Sequence, residues 1–459
     1  MSSTPPIEPL RRQTPAPPVR IVHLGLGNFH RAHQAWYTAH AGDAAQWGIA
    51  AFTGRRPDAA ERLNRQDGLY TLLVRGADGD HPEVVTSLSR AYAATDHEQF
   101  LDLLRRSEVA VVTLTVTEAA YLLGPDGGLD VDRPEVRADA DALRADPTAP
   151  VTTVPGRLAA GLAARRAAGA GPITVLSCDN LAHNGAVTAA VVTRFADLLD
   201  PGVRGWVQEN VEFASSMVDR ITPATTEEVV ERVAELTGRH DESPVPTEPF
   251  SEWVVAGEFA AGRPDWESAG AVFVEDVTAH EQRKLWLLNG SHSLLAYAGG
   301  LLGHRTIADA VADPRCRSWV EEFWDEACRH LPFPDGDLRG YREALLDRYA
   351  NPGVRHLLAQ IAAGGSLKLP LRVVPALRAE RAADRLPRGC ATAVAAWIGH
   401  LRGEGTPVDD PAAEPAVAAA TSADPVRDVL SLLDPGLGDD GDLVDLVSSR
   451  LRDLAPGNA

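Results

Sequence analysis

The sequence predicts an α/β protein, with a mostly parallel sheet in the first part of the chain and a largely helical second part. Three observations carry this. Strand-like apolar runs alternate with helical patterns as far as about residue 278. The first such run, Val19 to Leu24, leads into Gly25-Leu26-Gly27 and then a helical pattern from His30. From His280 onward apolar residues recur at helical spacing and no run reads as a strand.

Composition narrows the function classes. A chain of 459 residues, 44% apolar and 24% charged, is long enough for two domains with sizeable cores. A net charge of −20 disfavours nucleic acid and anionic membranes as partners. No uncharged apolar run reaches the ~18 residues of a membrane span. The N-terminal MSSTPPIEPLRRQTPAPP is Pro-rich without an apolar centre, which fits a disordered leader rather than a secretion signal. Cys178, Cys316, Cys328 and Cys390 have neither zinc-ligand nor disulfide-framework spacing, so the expected compartment is a reducing cytoplasm.

Each element follows from its residues. VRIVHL, 19 to 24, is a buried strand. The glycines after it let backbone approach a pyrophosphate at the start of a helix, as in a Rossmann-type dinucleotide site, although His30 stands where that pattern has its third glycine. Gly48 to Phe52 is the next strand. Arg55 and Arg56 follow it, where an acid would favour NAD and an arginine would accommodate the extra phosphate of NADP. QDGLYTLLVRG and EVVTSLSRAYA alternate as two strands of a hairpin-like excursion. VAVVTLTVTE, 109 to 118, is a central parallel strand with Glu118 just past its C-terminal end, where ligands bind in such sheets. PITVLSCDN, 172 to 180, is another, ending on Asp179-Asn180. Helical patterns fill 136–169 and 184–199. In Met217-Val218-Asp219-Arg220-Ile221 the charged pair reads equally as a structural ion pair or as a substrate contact. Short strand and turn signals occupy 250–277, and the Ala/Pro/Asp/Gly-rich 402–425 reads as a loose loop before a last helix, 426–433. The chain is thus expected to comprise a disordered leader (1–18), a dinucleotide-binding domain (19–278) and a helical substrate domain (279–459). The cofactor, NAD or NADP, is expected at Gly25, Gly27, Asn28, Phe29, Arg55 and Glu118.

One stretch of the helical part carries chemistry. Glu281 to Tyr297, EQRKLWLLNGSHSLLAY, is an apolar run of about four helical turns. Lys284, Asn289 and His292 are set into it on one broad half of the helix, with Glu281 beside them. Such groups must be hydrogen-bonded once buried. Of the 44 lysines and arginines in the chain only two are lysine, Lys284 and Lys368. A lysine retained in so arginine-rich a sequence points to what arginine cannot do, which is give up its proton. Desolvation lowers a lysine's pKa towards neutrality, where it can act as a base.

GLGNFHRAHQAWYT, QDGLYTL, SCDN, MVDRITP, GRPDWE and above all KLWLLNGSHSLLAY together resemble the mannitol dehydrogenase family, the polyol-specific long-chain dehydrogenases that include fructuronate reductases. The likeness runs from about residue 19 to about 375. It implies a Rossmann-type domain, a helical domain and a metal-free site in the cleft between them. It also implies NAD or NADP as cofactor, a small polyol or sugar-acid substrate, and a monomer or homodimer. It makes Lys284 the catalytic base, Asn180 and Asn289 the two amides on the substrate oxygen, and His292 the residue that orients substrate and lysine. Glu281 becomes the carboxylate that governs proton passage, and Asp219 a substrate contact. Lys368, in QIAAGGSLKLPLR, would meet the far end of the substrate, and Arg372 is a further cation suited to a carboxylate. Two departures bear on the substrate. Gly364-Gly365-Ser366 stands where the family usually has Asp-Gly-Ser. Gln360 stands where mannitol dehydrogenases carry Arg and fructuronate reductase-like members carry Gln.

Three alternatives remain open at this level. One is a hexuronate reductase in place of a polyol dehydrogenase, favoured by Gln360 and Arg372. The second is a β-hydroxyacid dehydrogenase, against which the Lys-to-Asn spacing and SCDN argue. The third is a cofactor-binding regulator without catalysis, against which the joint retention of Lys284, Asn180, Asn289 and His292 argues.

Overall fold

A parallel strand in the middle of a sheet is buried on both faces and needs apolar residues throughout. Val19–Leu24 (β1) meets that demand. A computed structural model of the chain describes residues 8–54, 56–353 and 356–454 and divides it into two compact units, Met1–Thr278 and Ala279–Ala459. The first is built on an eight-stranded sheet of β1, Gly48–Phe52 (β2), Leu88–Tyr92 (β3), Val111–Leu114 (β4), Ile173–Ser177 (β5), Val211–Asp219 (β6), Glu252–Ala256 (β7) and Val272–Val274 (β8). The spatial order is β8-β7-β6-β5-β4-β1-β2-β3. β1 to β6 are mutually parallel, in the strand order of a Rossmann fold. β7 runs antiparallel to β6, and β8 parallel to β7. The order reverses between β1 and β4, so a crevice for ligands is expected outside Leu24 and Leu114, which pair at the C-terminal ends of those strands.

Alternation of side chains divides the interior into two cores. Val22, Leu24, Ala50, Phe52, Val112 and Val175 face helices 97–104, 134–145, 154–168 and 184–199. Ile21, Ile49, Ala51 and Val111 face the opposite way, towards Tyr37, Leu63, Tyr70 and Trp253.

The expected α/β class is the one observed, with local differences. The segment EVVTSLSRAYA does not form one strand. Gly79–Val85 completes the hairpin with Tyr70–Gly76, whereas Leu88–Tyr92 becomes the edge strand of the main sheet. The stretch leading to Asp219 is β6, because Val211, Ala214 and Met217 each find an apolar neighbour. Residues 8–18, expected within a disordered leader, are largely exposed but anchored at points. Glu8–Pro9 pairs with Arg239–His240, Leu10 is buried, and Arg12 donates to the carbonyls of Thr86 and Leu88 at 3.0 Å. Residues 1–7 and Arg55 lie outside the described residues.

The second unit is helical. Helix Ser291–Leu301 is buried over its first nine residues and packs on Arg388–Leu401, which is buried from Gly389 to its end. The tail, expected as a loop and one helix, holds three: Ala413–Ala420, Pro425–Leu433 and Gly441–Asp453. Its Pro and Gly residues mark the breaks between helices rather than an absence of helix. Among the described residues, no helix is long and apolar enough to cross a membrane.

Candidate active site

In the first unit the site is built where β1 ends. Gly25 has φ 109°, and a Cβ there would lie 2.0 Å from the Thr115 carbonyl oxygen, so only glycine lets the chain turn beneath the segment after β4. Gly27 differs. Its backbone is extended, and a Cβ would meet only Gly25 O, at 3.6 Å. The first glycine is demanded by the chain itself, while the second keeps the outer side of the turn low, as a pyrophosphate requires. His30, in place of the third glycine, stacks on His23 of β1 with ring centroids 3.3 Å apart. His23 is held between Thr113 Oγ1 (2.8 Å) and Thr115 Oγ1 (3.0 Å). Burial pushes the His23 imidazole down to about 3 and holds that of His30 well below its usual range, so both are neutral.

The neighbouring candidates brace this turn with their side chains. Asn28 Nδ2 donates to Pro223 O and Thr225 Oγ1, both at 3.1 Å, and Asn28 Oδ1 accepts from Arg31 at 2.6 Å. Phe29 stacks on His33. Glu118 is exposed and opens a 3-10 turn, Glu118–Tyr121, beyond β4. Asn180 is exposed three residues past the end of β5, and Asp219 is buried at the end of β6. Arg220 donates to Ala32 O at 2.6 Å and to Glu248 O at 3.3 Å and lies over the Trp36 ring, which gives it a scaffold role.

In the second unit the apolar run around Lys284 is not a uniform α-helix. Thr278–Arg283 is α-helical, Lys284–Gly290 is π-helical, and Ser291–Leu301 is α-helical again. A π segment closes i→i+5 and is frequent at functional sites. Its carbonyls find outside donors. Trp324 Nε1 donates to Leu287 O at 2.8 Å, Tyr349 Oη donates to Leu288 O at 3.1 Å, and Ser291 Oγ reaches both carbonyls and Tyr349 Oη. Gly290 is tight for the same reason, since a Cβ there would lie 2.8 Å from the Phe323 ring and 2.9 Å from Arg372 O. Lys284, Asn289 and Glu281 are partly exposed, whereas His292 is buried.

His292 packs against Tyr349 at 4.7 Å and edge-on to His356 at 5.5 Å. Burial, then His356, Arg348 and Arg372, hold its pKa well below the usual imidazole range. Its Nε2 is buried without a hydrogen-bond partner among the described residues. Arg372 donates to Ser293 Oγ at 3.2 Å, and Ser293 Oγ donates to Asn289 O at 3.1 Å. Lys368 donates to Ile361 O at 3.2 Å and also to Ala363 O. Burial and Arg372 lower the Lys368 pKa, with Asp410 opposing. The structure therefore brings Lys368 and Arg372 within each other's electrostatic reach, and places Arg348 and His356 beside His292. Sequence reasoning missed both, because one arginine among dozens and one of 14 histidines carry no local mark. Gln360 is exposed on the short helix Leu358–Ala362.

His304, Asp313 and Cys316 place potential metal-ligand atoms within 4.8 Å of one another. Asp313 there already accepts from Arg315 and His304 at 3.0 Å, which accounts for the grouping as an ion pair.

The description "mannitol dehydrogenase Rossmann domain" matches residues 19–268, and "mannitol dehydrogenase C-terminal domain" matches residues 276–455. The chain belongs to the mannitol dehydrogenase family. Among its relatives, the D-mannonate oxidoreductase of Escherichia coli K12 is 39% identical over 394 residues, 84% of this chain and 80% of that protein. A mannitol 2-dehydrogenase of Cereibacter sphaeroides is 36% identical over 391 residues, 83% of this chain and 81% of that one. The Pseudomonas fluorescens mannitol 2-dehydrogenase, solved as a ternary complex with NAD and D-mannitol, superposes with a TM-score of 0.79 at 32% identity, covering 99% of this chain and 95% of the other. A substrate-free D-sorbitol dehydrogenase superposes with a TM-score of 0.89 at 29% identity, covering 97% and 95%. The protein is thus an oxidoreductase of the mannitol dehydrogenase family, and its Gly25 turn at the sheet's switch point fits the dinucleotide that such enzymes use.

Proposed function

We propose that this protein interconverts an open-chain polyol or sugar acid and its keto form at a secondary carbon, with NAD(H) or NADP(H) as hydride carrier and Lys284 as general acid and base. The observation that carries the reading is the π-helical segment Lys284–Gly290, which puts an ammonium and an amide five residues apart onto one face of an otherwise apolar helix. Bound nicotinamide supplies the hydride acceptor. The chain supplies the rest. Neutral Lys284 takes the hydroxyl proton during oxidation, and the ammonium returns it during reduction. Asn289 and Asn180 donate amide hydrogens to the oxygen as it becomes an alkoxide, a contribution of about 3 kcal/mol per such donor. His292, kept neutral by burial and neighbouring cations, hydrogen-bonds a substrate hydroxyl and orients it towards Lys284. Glu281, three residues before Lys284, passes the proton on to solvent.

A second reading, a sugar-acid substrate, is favoured by one observation. Beyond the effect of burial, His356, Arg348 and Arg372 disfavour protonation of His292, Lys368 disfavours that of His356, and Arg372 that of Lys368, where Asp410 opposes. Such a group of cations is relieved by an anion. The 39% identity to a D-mannonate oxidoreductase points the same way. The test is a panel that crosses NADH and NADPH with fructose, fructuronate, tagaturonate, xylulose and their reduced partners. Turnover of fructuronate or tagaturonate well above the neutral ketoses supports the sugar acid, and the reverse supports the polyol. A flat panel from folded protein that binds coenzyme would overturn both. If NADPH serves, Arg55 and Arg56 are its expected phosphate contacts.

A further inference from the structure

Asp179 precedes Asn180 and is a heavily engaged carboxylate near the end of the parallel sheet. It is 5% exposed. Oδ1 accepts from the Val116 backbone N–H at 2.5 Å. Oδ2 accepts from Ser177 Oγ at 3.0 Å and from the Tyr121 hydroxyl. Val116 and Tyr121 bracket the segment that leaves β4 and carries Glu118, so one carboxylate ties down both ends of it. The Asp179 backbone is held as well. Its carbonyl accepts from Asn184 Nδ2 at 2.9 Å, and that amide also donates to Ser216 O at 2.7 Å and accepts from Ser216 N at 3.1 Å. The segments that follow β4 and β5 are thus joined to β6 through Asp179 and Asn184 at the edge where the fold binds its ligands.

All three donors to the carboxylate are neutral, and burial pushes its pKa up to about 6. A carboxylate kept there costs desolvation that an asparagine would avoid. Two oxygens are needed to accept three donors from two directions, and an amide offers only one.

We propose that Asp179 is a positioning residue, clamping the 116–121 segment to the end of β5 so that Asn180 presents its amide to the substrate oxygen. This rests on the reading of Asn180 as a donor to that oxygen. The test is a double-mutant cycle on full-length protein with Asp179→Asn and Asn180→Ala, following kcat, the KM for coenzyme and thermal stability. Asp179→Asn keeps an acceptor for Val116 but exchanges the two charge-assisted bonds from Tyr121 and Ser177 for weaker neutral ones. Expected is a loss in kcat of about tenfold or more with coenzyme KM within about twofold, and little further loss from Asp179→Asn once Asn180 is alanine. Should Asp179→Asn not fold, Tyr121→Phe removes one donor, leaves the carboxylate, and is expected to lower kcat in the same pattern. A loss that multiplies in full in the Asn180→Ala background, or an unchanged kcat in Asp179→Asn beside a damaged Asn180→Ala, overturns the positioning role alone. Full activity in Asn180→Ala overturns the role of Asn180 and this proposal with it.

Discussion

Lys284 and Asn289 stand five residues apart within one π-helical segment. In an α-helix that spacing would turn the two side chains about 140° away from each other. Closure at i→i+5 stacks them roughly one above the other instead. Side chains distant in sequence hold the segment open: Trp324 on Leu287 O and Tyr349 on Leu288 O. Where the Lys284 and Asn289 side chains point is therefore set by the packing of helices 314–328 and 335–350 against the segment.

Lys284→Ala is expected to lose about a hundredfold or more in turnover, the usual scale for an acid–base group, while coenzyme binding survives. A small amine in the medium should restore part of it. Lys284→Arg should be nearly as inactive, because guanidinium keeps the charge and cannot release the proton. In the wild type, alcohol oxidation should rise with pH and ketone reduction fall. An arginine variant that oxidises alcohol at close to the wild-type rate would leave Lys284 as a mere charge and move the search for the base to His292.

The two glycines of the β1 turn are expected to fail differently. Gly25→Ala places a Cβ 2.0 Å from Thr115 O at a backbone angle of φ 109°, so the protein should lose at least about 2 kcal/mol of stability or not fold. Gly27→Val should fold, because its Cβ meets only Gly25 O at 3.6 Å, and should bind coenzyme more weakly. Calorimetry of the two variants with and without NADH separates the effects. Unchanged coenzyme affinity in a folded Gly27→Val would show that the turn does not cradle phosphate.

Arg372 is the cleaner probe of substrate class, since the Lys368 ammonium is also needed to cap Ile361 O and Ala363 O. For a sugar acid, Arg372→Gln should cut turnover of fructuronate or tagaturonate by about 10- to 100-fold, the worth of a charge-assisted bond, and turnover of fructose far less. Equal losses on both substrates would favour a neutral polyol.

His23, His30 and His292 are buried and neutral, with pKa values held below the ordinary 6.5. In the unfolded chain each takes up a proton near that value. The stability that depends on their neutrality is therefore complete above pH ~6.5 and is lost as pH falls towards the folded values, about 3 for His23. Asp179 acts in the opposite sense. Its raised folded pKa, about 6 against 3.8, favours the folded state as pH drops through that window. His97, His280, His356 and His400 are shifted down in the same way and Glu326 up like Asp179, so the lowered imidazoles outnumber the raised carboxyls and unfolding free energy should fall between pH 7 and 5. Urea titrations at pH 7, 6 and 5 measure it, and a flat profile would mean that the imidazoles acquire protons without penalty in the folded state.

Much of the fold was legible because its cues are local. VRIVHL before Gly-Leu-Gly, VAVVTL and PITVLS each announce a strand buried on both faces by apolar content alone, and helical patterns occupy much of the chain between the last two. The tail misled for the converse reason. Its Ala/Pro/Asp/Gly composition resembles a loop, yet Ala413–Ala420 is helical because Ala413, Ala416 and Ala420 are buried. The residues around His292 were legible only where residue type was rare. Lys368 stood out as one of two lysines, whereas Arg348 and His356 did not.

The sequence by itself determined the order and type of the main elements, the glycine turn, and the set Lys284, Asn289 and His292, because periodicity, turn chemistry and residue rarity are properties of neighbouring residues. Tertiary structure decided the rest. The π-helical segment exists where Trp324 and Tyr349 accept the task of satisfying carbonyls that the helix releases. His30 replaces a glycine where His23 offers it a ring to stack on. The neutrality of His292 follows from its burial first, and then from His356, Arg348 and Arg372, 64, 56 and 80 residues further along the chain. Hydrogen-bond satisfaction and desolvation are set by whatever the folded chain brings alongside, and no local pattern encodes that.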